Sequence, residues 1–247
     1  MVHQETLEYQ SENGDVFEGI LIRPSDAVGG NLLPGVIIYH AFMGITDHEI
    51  EAAKKLTKKL NVIALVADVY GKEVRPKEPQ EAFGILLPLL EEREKNFRPR
   101  LEATLRALKR VEGLDQTKIG AMGYCLGGIC TIDMARYNLD FVGGVSFHGS
   151  LKPLPNFPIT PIKPSLLIQH GDADSHIPKE QVDAFMTEMR ERNADFVFTS
   201  HAHAEHAFTE PKADLFKKPG VSYNKKADKR SWCAMLNFFE ELFHAKL

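Results

Sequence analysis

Ile119-Gly120-Ala121-Met122-Gly123-Tyr124-Cys125-Leu126-Gly127-Gly128-Ile129-Cys130-Thr131-Ile132 passes from an apolar stretch, through a glycine-flanked cysteine, into helical spacing. A buried strand that bends abruptly into a helix leaves little room at the bend, so small residues flank the one at its tip. Gly123-x-Cys125-x-Gly127 keeps the G-x-S-x-G spacing with sulfur in place of the hydroxyl. The N-terminus of the helix that follows favours a thiolate and an oxyanion. Cys125 is therefore the candidate nucleophile. The plainer alternative is a glycine-rich turn around an inert thiol, and the succession strand, bend, helix argues against it.

The segments on either side of this bend alternate. Residues 7–10 and 16–22 read as strands joined by the hairpin signal Glu12-Asn13-Gly14-Asp15. Residues 35–39 and 62–66 are short continuous apolar runs, the mark of strands buried on both faces. Helical spacing covers 49–60 and 99–111, where Leu101, Leu105 and Leu108 share a face. Beyond the bend, strands are predicted at 141–147, 165–169 and 196–199, and helices at 126–137, 178–192 and 228–244. Strands alternating with helices of this length predict an α/β fold, a mostly parallel central sheet flanked by helices on both faces, opened by an antiparallel N-terminal hairpin. A single domain over 1–247 accommodates the pattern. The stretch 71–99 is the least regular, and reads either as a lid over a pocket or as a long surface connection.

Bulk properties narrow the function. The 247 residues are 43% hydrophobic and 26% charged, with a formal net charge of -4. Such a chain offers no electrostatic reason to expect nucleic acid. Its most basic stretch, Lys225-Lys226-Ala227-Asp228-Lys229-Arg230, is interrupted by Asp228 and reads as a solvated helix start. No apolar run approaches the ~20 residues of a membrane span. Met1-Val2-His3-Gln4-Glu5 lacks the basic start and apolar stretch of a secretory signal, so a cytoplasmic location is expected. Three cysteines, an odd number, do not suggest a disulfide framework. Cys130 and Cys233 fall in helical apolar patterns and are expected in the core.

A nucleophile on such a bend is followed along the chain by an acid and then a base. The apolar run Leu166-Leu167-Ile168 leads into Gly171-Asp172-Ala173-Asp174, where two carboxylates compete. Asp172, beside Gly171, fits a turn former, which leaves Asp174 as the preferred acid. After the next strand come His201, His203 and His206, and much later His244. His206 is preferred, because the apolar residue in His206-Ala207-Phe208 could anchor the ring. In this arrangement His206 takes the thiol proton and Asp174 fixes the imidazole tautomer. The oxyanion donors are the backbone N–H of Leu126 and one from the loop after the third strand, at Ala41 or Phe42. A competing pattern, His201-Ala202-His203-Ala204-Glu205-His206, approaches the H-x-H-x-D-H zinc motif of metallo-β-lactamase-like hydrolases. Glu205 replaces its Asp, and only His244 follows as a further histidine, so no metal or other cofactor is expected.

Taken together, these residues resemble the dienelactone hydrolase family of the α/β-hydrolase fold. Gly123-Tyr124-Cys125-Leu126-Gly127-Gly128 is similar to that family's cysteine elbow, Gly171-Asp172-Ala173-Asp174 with Ile177-Pro178 to its acid turn, and His206-Ala207-Phe208-Thr209 to its His-x-Phe signature. Asp68-Val69-Tyr70-Gly71 resembles the end of its fourth strand. The resemblance implies a Cys125-His206-Asp174 triad acting on a small ester, lactone or thioester through an acyl-thiol intermediate. Two departures stand out. The best-known members carry a Glu after the third strand that handles the resting thiol's proton, whereas His40-Ala41-Phe42-Met43-Gly44 holds no carboxylate and His40 is the titratable group there. The family's Arg four residues past the catalytic His is Glu210 here, so a substrate carboxylate would need another partner, Arg98 or Arg100. His40, Tyr124 and His148 are candidate substrate contacts, with Phe42 also able to line the pocket. The rival to a hydrolase is a non-catalytic ligand-binding protein of the same fold.

Overall fold

The computed structural model describes residues 1–25 and 32–244. The chain divides into two compact units, Met1–Ala121 and Met122–Leu247, and the division falls inside strand β5 (Leu114–Tyr124). Among the described residues there are eight strands and six α-helices, and their alternation is the α/β arrangement that the hydrophobic pattern predicts.

The first unit opens with an antiparallel hairpin, β1 (Val2–Gln10) and β2 (Val16–Pro24). Its turn is closed by Ser11 and Asp15, 2.9 Å between amide and carbonyl. Strand β2 also pairs antiparallel with β4 (Ile63–Ala67), and β4 pairs parallel with β3 (Leu33–Tyr39), giving the order β1-β2-β4-β3. Residues 35–39 and all of β4 are buried, as continuous apolar runs require. Helix α1 (Asp47–Leu60) starts on a capping box, in which Thr46 and Glu49 each satisfy the other's backbone donor. It ends at Asn61 in the left-handed conformation. Its apolar face packs on β2 and β4.

The stretch 71–99 is largely helical. Helix α2 covers Pro79–Glu91 and α3 covers Arg93–Lys109, so the helix predicted from residue 99 begins six residues earlier. Two prolines hid this. Pro88 and Pro99 both lie inside helices, where a missing N–H and a ring clash normally forbid them. The Asn96 side chain donates to the Pro88 carbonyl at 3.1 Å, satisfying one of the acceptors that α2 leaves open in its last turn.

In the second unit β6 (Gly143–Phe147), β7 (Ser165–Gly171) and β8 (Phe196–His201) run parallel in that order. Helix α4 (Leu126–Arg136) is buried along its whole length and packs on β6. Helix α6 (Lys225–His244) packs on β6 and β7. Cys233, expected in the core, is exposed on α6. The helical period allowed it either face, and the buried stripe runs through Ser231, Met235 and Phe239. No helix among the described residues is long and apolar enough to cross a membrane.

The end of α4 is tied to α5 (Lys179–Glu191) by buried charge. Both nitrogens of the Arg136 fork meet Glu188, at 3.0 and 2.6 Å, and Asp133 takes a third bond at 2.9 Å. Arg192 reaches the same Glu188 at 2.8 Å. Burial pushes the Glu188 carboxyl up, but the Arg136 and Arg192 bonds and charges outweigh it and hold its pKa below the usual range. The stabilisation is thus present at neutral pH and lost as pH falls through that lowered value. Glu188→Ala leaves two guanidinium groups buried without their shared partner. The expected cost is about 3–5 kcal/mol in chemical denaturation; a loss below about 1 kcal/mol would mean the guanidinium groups re-pair within the fold.

Candidate active site

Cys125 stands between the last residue of β5 and the first of α4. Its backbone is left-handed, φ 52 and ψ -105, a conformation that a residue with a Cβ rarely takes and that marks stored strain. Backbone bonds hold it there. The Cys125 amide donates to Phe147 at the end of β6 (3.0 Å), and the amides of Gly128 and Ile129 donate to its carbonyl (3.1 and 3.3 Å). A Cβ at Gly123 would stand 2.2 Å from the carbonyl of Gly127, so glycine is required for close approach. The sulfur is half-buried. Because α4 begins at Leu126, that amide is among the donors a helix leaves unbonded at its start.

The acid turn follows β7 and the base loop follows β8. The two are laced together: Asp172 donates to His201 (3.0 Å) and Ala173 to Ala204 (2.9 Å). Gly171 permits this, since a Cβ there would lie 2.5 Å from the Ala204 carbonyl oxygen. Asp174 is buried, and its Oδ1 accepts the His176 amide at 2.9 Å. His206 is held by backbone on both sides, donating to Gly220 (3.0 Å) and accepting from Ser222 (3.2 Å). Two residues on, Phe208 is fully buried against Ala204 and Ala227, as an apolar anchor should be.

These elements bring three side chains together. His206 Nδ1 lies 2.8 Å from Asp174 Oδ2, and His206 Nε2 lies 3.2 Å from Cys125 Sγ. Asp172 is not part of the group; it accepts from the Ser200 hydroxyl at the surface. Burial disfavours a charge on His206. The charge of Cys125, the hydrogen bonds to Asp174 and Cys125, and the charge of Asp174 outweigh that burial, and the pKa rises from 6.5 to about 10. The ring stands between a sulfur and a carboxylate, and both favour its protonated form. A neighbouring cation is the setting in which sulfur serves as a nucleophile.

The remaining sequence candidates distribute differently. His40 is fully buried, with Nδ1 2.6 Å from the Ala41 carbonyl and Nε2 accepting the Val69 amide at 3.2 Å. Both nitrogens serve backbone, which argues for a structural role over substrate contact. Tyr124 is buried and stacks on Phe147, centroids 5.1 Å apart. His148 is also buried, its Nε2 2.8 Å from the Thr209 hydroxyl and its ring edge-on to His206 at 5.2 Å. Its place beside the base is therefore that of a brace. Phe42, the second oxyanion candidate, lies in the first unit, where its carbonyl accepts the Tyr70 hydroxyl at 2.6 Å. Arg100 donates to the carbonyls of Val69, Tyr70 and Asn96, and Arg98 pairs with Glu102. His201 is bonded to Gln169 at 2.6 Å and His203 is exposed, so the His-x-His-x-x-His pattern does not gather around one point.

Two local partners escaped the sequence reading. Thr209 follows the His-x-Phe signature directly, and its hydroxyl gives it away only once His148 is placed. Within the first unit, Glu49 is fully buried and accepts the Ala41 amide in the loop after β3 at 3.1 Å. Its capping-box signal was present in the sequence, but its reach to a residue eight positions earlier was not.

Known proteins resemble this chain over most of its length. The model of the dienelactone hydrolase family matches residues 17–243. An uncharacterized Caenorhabditis elegans protein is 48% identical over 154 residues, 62% of this chain and 98% of its own length. A probable 2-oxo-3-(5-oxofuran-2-ylidene)propanoate lactonase of Bradyrhizobium is 26% identical over 215 residues, 83% of this chain and 84% of its own. Among solved structures, a dienelactone hydrolase-like promiscuous phosphotriesterase from metagenomic libraries superposes with a TM-score of 0.92 at 29% identity, covering 98% of this chain and 99% of its own.

The charged ring is open to direct titration. Stabilisation from a raised histidine pKa is complete below about pH 6.5 and fades as pH climbs through about 10. Ring resonances of His206, followed by NMR, are expected to titrate near 10. In Cys125→Ala the midpoint should drop, because the charge and hydrogen bond of the sulfur both raise it. A midpoint near 6.5 in the parent protein would sink the ion-pair description. Gly123→Ala is expected to cost about 1–3 kcal/mol in thermal or chemical unfolding by overpacking the bend, and an unchanged stability would show that the bend relaxes.

Proposed function

We propose that this chain, which belongs to the dienelactone hydrolase family, hydrolyses small esters, lactones or thioesters with Cys125 as nucleophile, His206 as acid and base, and Asp174 as the group that orients His206. The observation that carries this reading is one imidazole standing 3.2 Å from a sulfur and 2.8 Å from a carboxylate. The sulfur attacks the carbonyl carbon, forming a carbon–sulfur bond and a tetrahedral oxyanion. The Leu126 amide meets that oxyanion, and such a donor lowers the barrier by about 2.7–4 kcal/mol. Collapse breaks the carbon–oxygen or carbon–sulfur bond of the substrate, and Nε2–H of His206 protonates the leaving group. Water then attacks the acyl-thiol, giving its proton to His206, and the acid departs as the sulfur regains its electron pair.

Substrate choice follows from charge. Glu210, four residues beyond His206, disfavours an anionic substrate group in the place where the family's best-known members have an arginine. Neutral esters and lactones are the better fit. The likeness to a promiscuous phosphotriesterase adds neutral phosphotriesters as a second electrophile for the same sulfur.

Intact-protein mass spectrometry after exposure to a panel of neutral esters and lactones tests the chemistry. The acyl adduct is expected on Cys125 and absent from Cys125→Ala, and Asp174→Asn should lower kcat by about 10²–10⁴-fold. Absence of both adduct and turnover across the panel would favour a ligand-binding protein instead.

A further inference from the structure

One histidine near the site has no part in this chemistry. His176 lies two residues past Asp174 in the acid turn, and its ring centroid is 4.9 Å from that of His206. We propose that Asp174, His176 and His206 form a site for one zinc-type divalent ion, whose binding shuts the hydrolytic site. The inhibitory half rests on the reading of His206 as acid and base; the binding half does not.

The ligand atoms of the three side chains all lie within 4.8 Å of one another. A tetrahedral ion with bonds of about 2.0–2.1 Å wants its donors about 3.3 Å apart, so His176 must swing closer while the 2.8 Å pair of Asp174 Oδ2 and His206 Nδ1 opens by about half an ångström. The parts of the group are suited to that. Asp174 is buried and fixed by the His176 amide, and His206 is fixed by Gly220 and Ser222, so two donors are already in place. His176 is exposed and can turn its ring toward them. One carboxylate with two imidazoles suits zinc, while magnesium and calcium prefer all-oxygen shells.

The step conserves charge and atoms simply. The ion takes ring nitrogen and carboxylate lone pairs, His206 releases one proton to solvent, and no electron moves. A metal-bound His206 can neither carry a proton for the sulfur nor keep its hydrogen bond to Asp174. The ion therefore acts as an inhibitor of the triad.

Calorimetric titration of the chelator-treated full chain with zinc chloride reads binding, and ester hydrolysis read in parallel gives inhibition. Expected are one zinc per chain, inhibition with the same midpoint, recovery on adding EDTA, and no effect of magnesium or calcium. His176→Gln should hydrolyse ester as the parent does without zinc, yet weaken zinc binding and inhibition at least tenfold. Parent-like zinc affinity in His176→Gln, or no stoichiometric binding in the parent, overturns the site. Should the chain prove to hydrolyse no ester, the calorimetric comparison still decides whether the three residues hold the ion.

Discussion

Burial opposes a proton-borne charge on His206, and the sulfur on one side and Asp174 on the other counter that opposition. Much of the second unit can be understood as keeping those three groups within hydrogen-bond reach. The left-handed backbone at Cys125 presents the sulfur. The lacing of the acid turn to the base loop sets the carboxylate, and the Gly220 and Ser222 bonds stop the ring from drifting. Loosening any of these leaves an uncompensated buried charge, which is a costly state.

The same constraint bears on the rings packed around His206. His148 lies edge-on to His206 and Phe208 lies edge-on to His148, and neither replaces the partners of His206. His148 has its own anchor in Thr209, so it restricts where the neighbouring ring can go. Rotamer restriction of this kind matters because a near-attack geometry tolerates little displacement. Farther along the chain, the Arg136, Asp133, Glu188 and Arg192 network fixes the end of the helix whose start is the elbow. One buried helix thus carries a reactive residue at one end and a charge clamp at the other.

What could be read from sequence followed local rules. The strand-bend-helix succession around Cys125, the buried strands at residues 35–39 and 63–67, and the opening hairpin are set by neighbours within a few positions, so their patterns are visible. The choice of His206 over His201 and His203 also had a local trace in Phe208. Non-local facts were invisible. Nothing in Gly171 itself tells that another loop's carbonyl will stand against it. The burial of His40, Tyr124 and His148 was equally invisible, because position at a strand end does not say which way a ring points. Pro88 and Pro99 misled for the opposite reason: a strong local rule was overridden by helices stitched to each other.

The left-handed bend at Cys125 also limits which atoms can ever occupy its tip. Serine has the same unbranched Cβ and would fit the backbone as it stands. Threonine would place a second heavy atom on a Cβ already crowded by a positive φ, where branched residues are genuine outliers. Exchange between thiol and primary alcohol is therefore an easy evolutionary passage in this scaffold, and the secondary alcohol is a dead end.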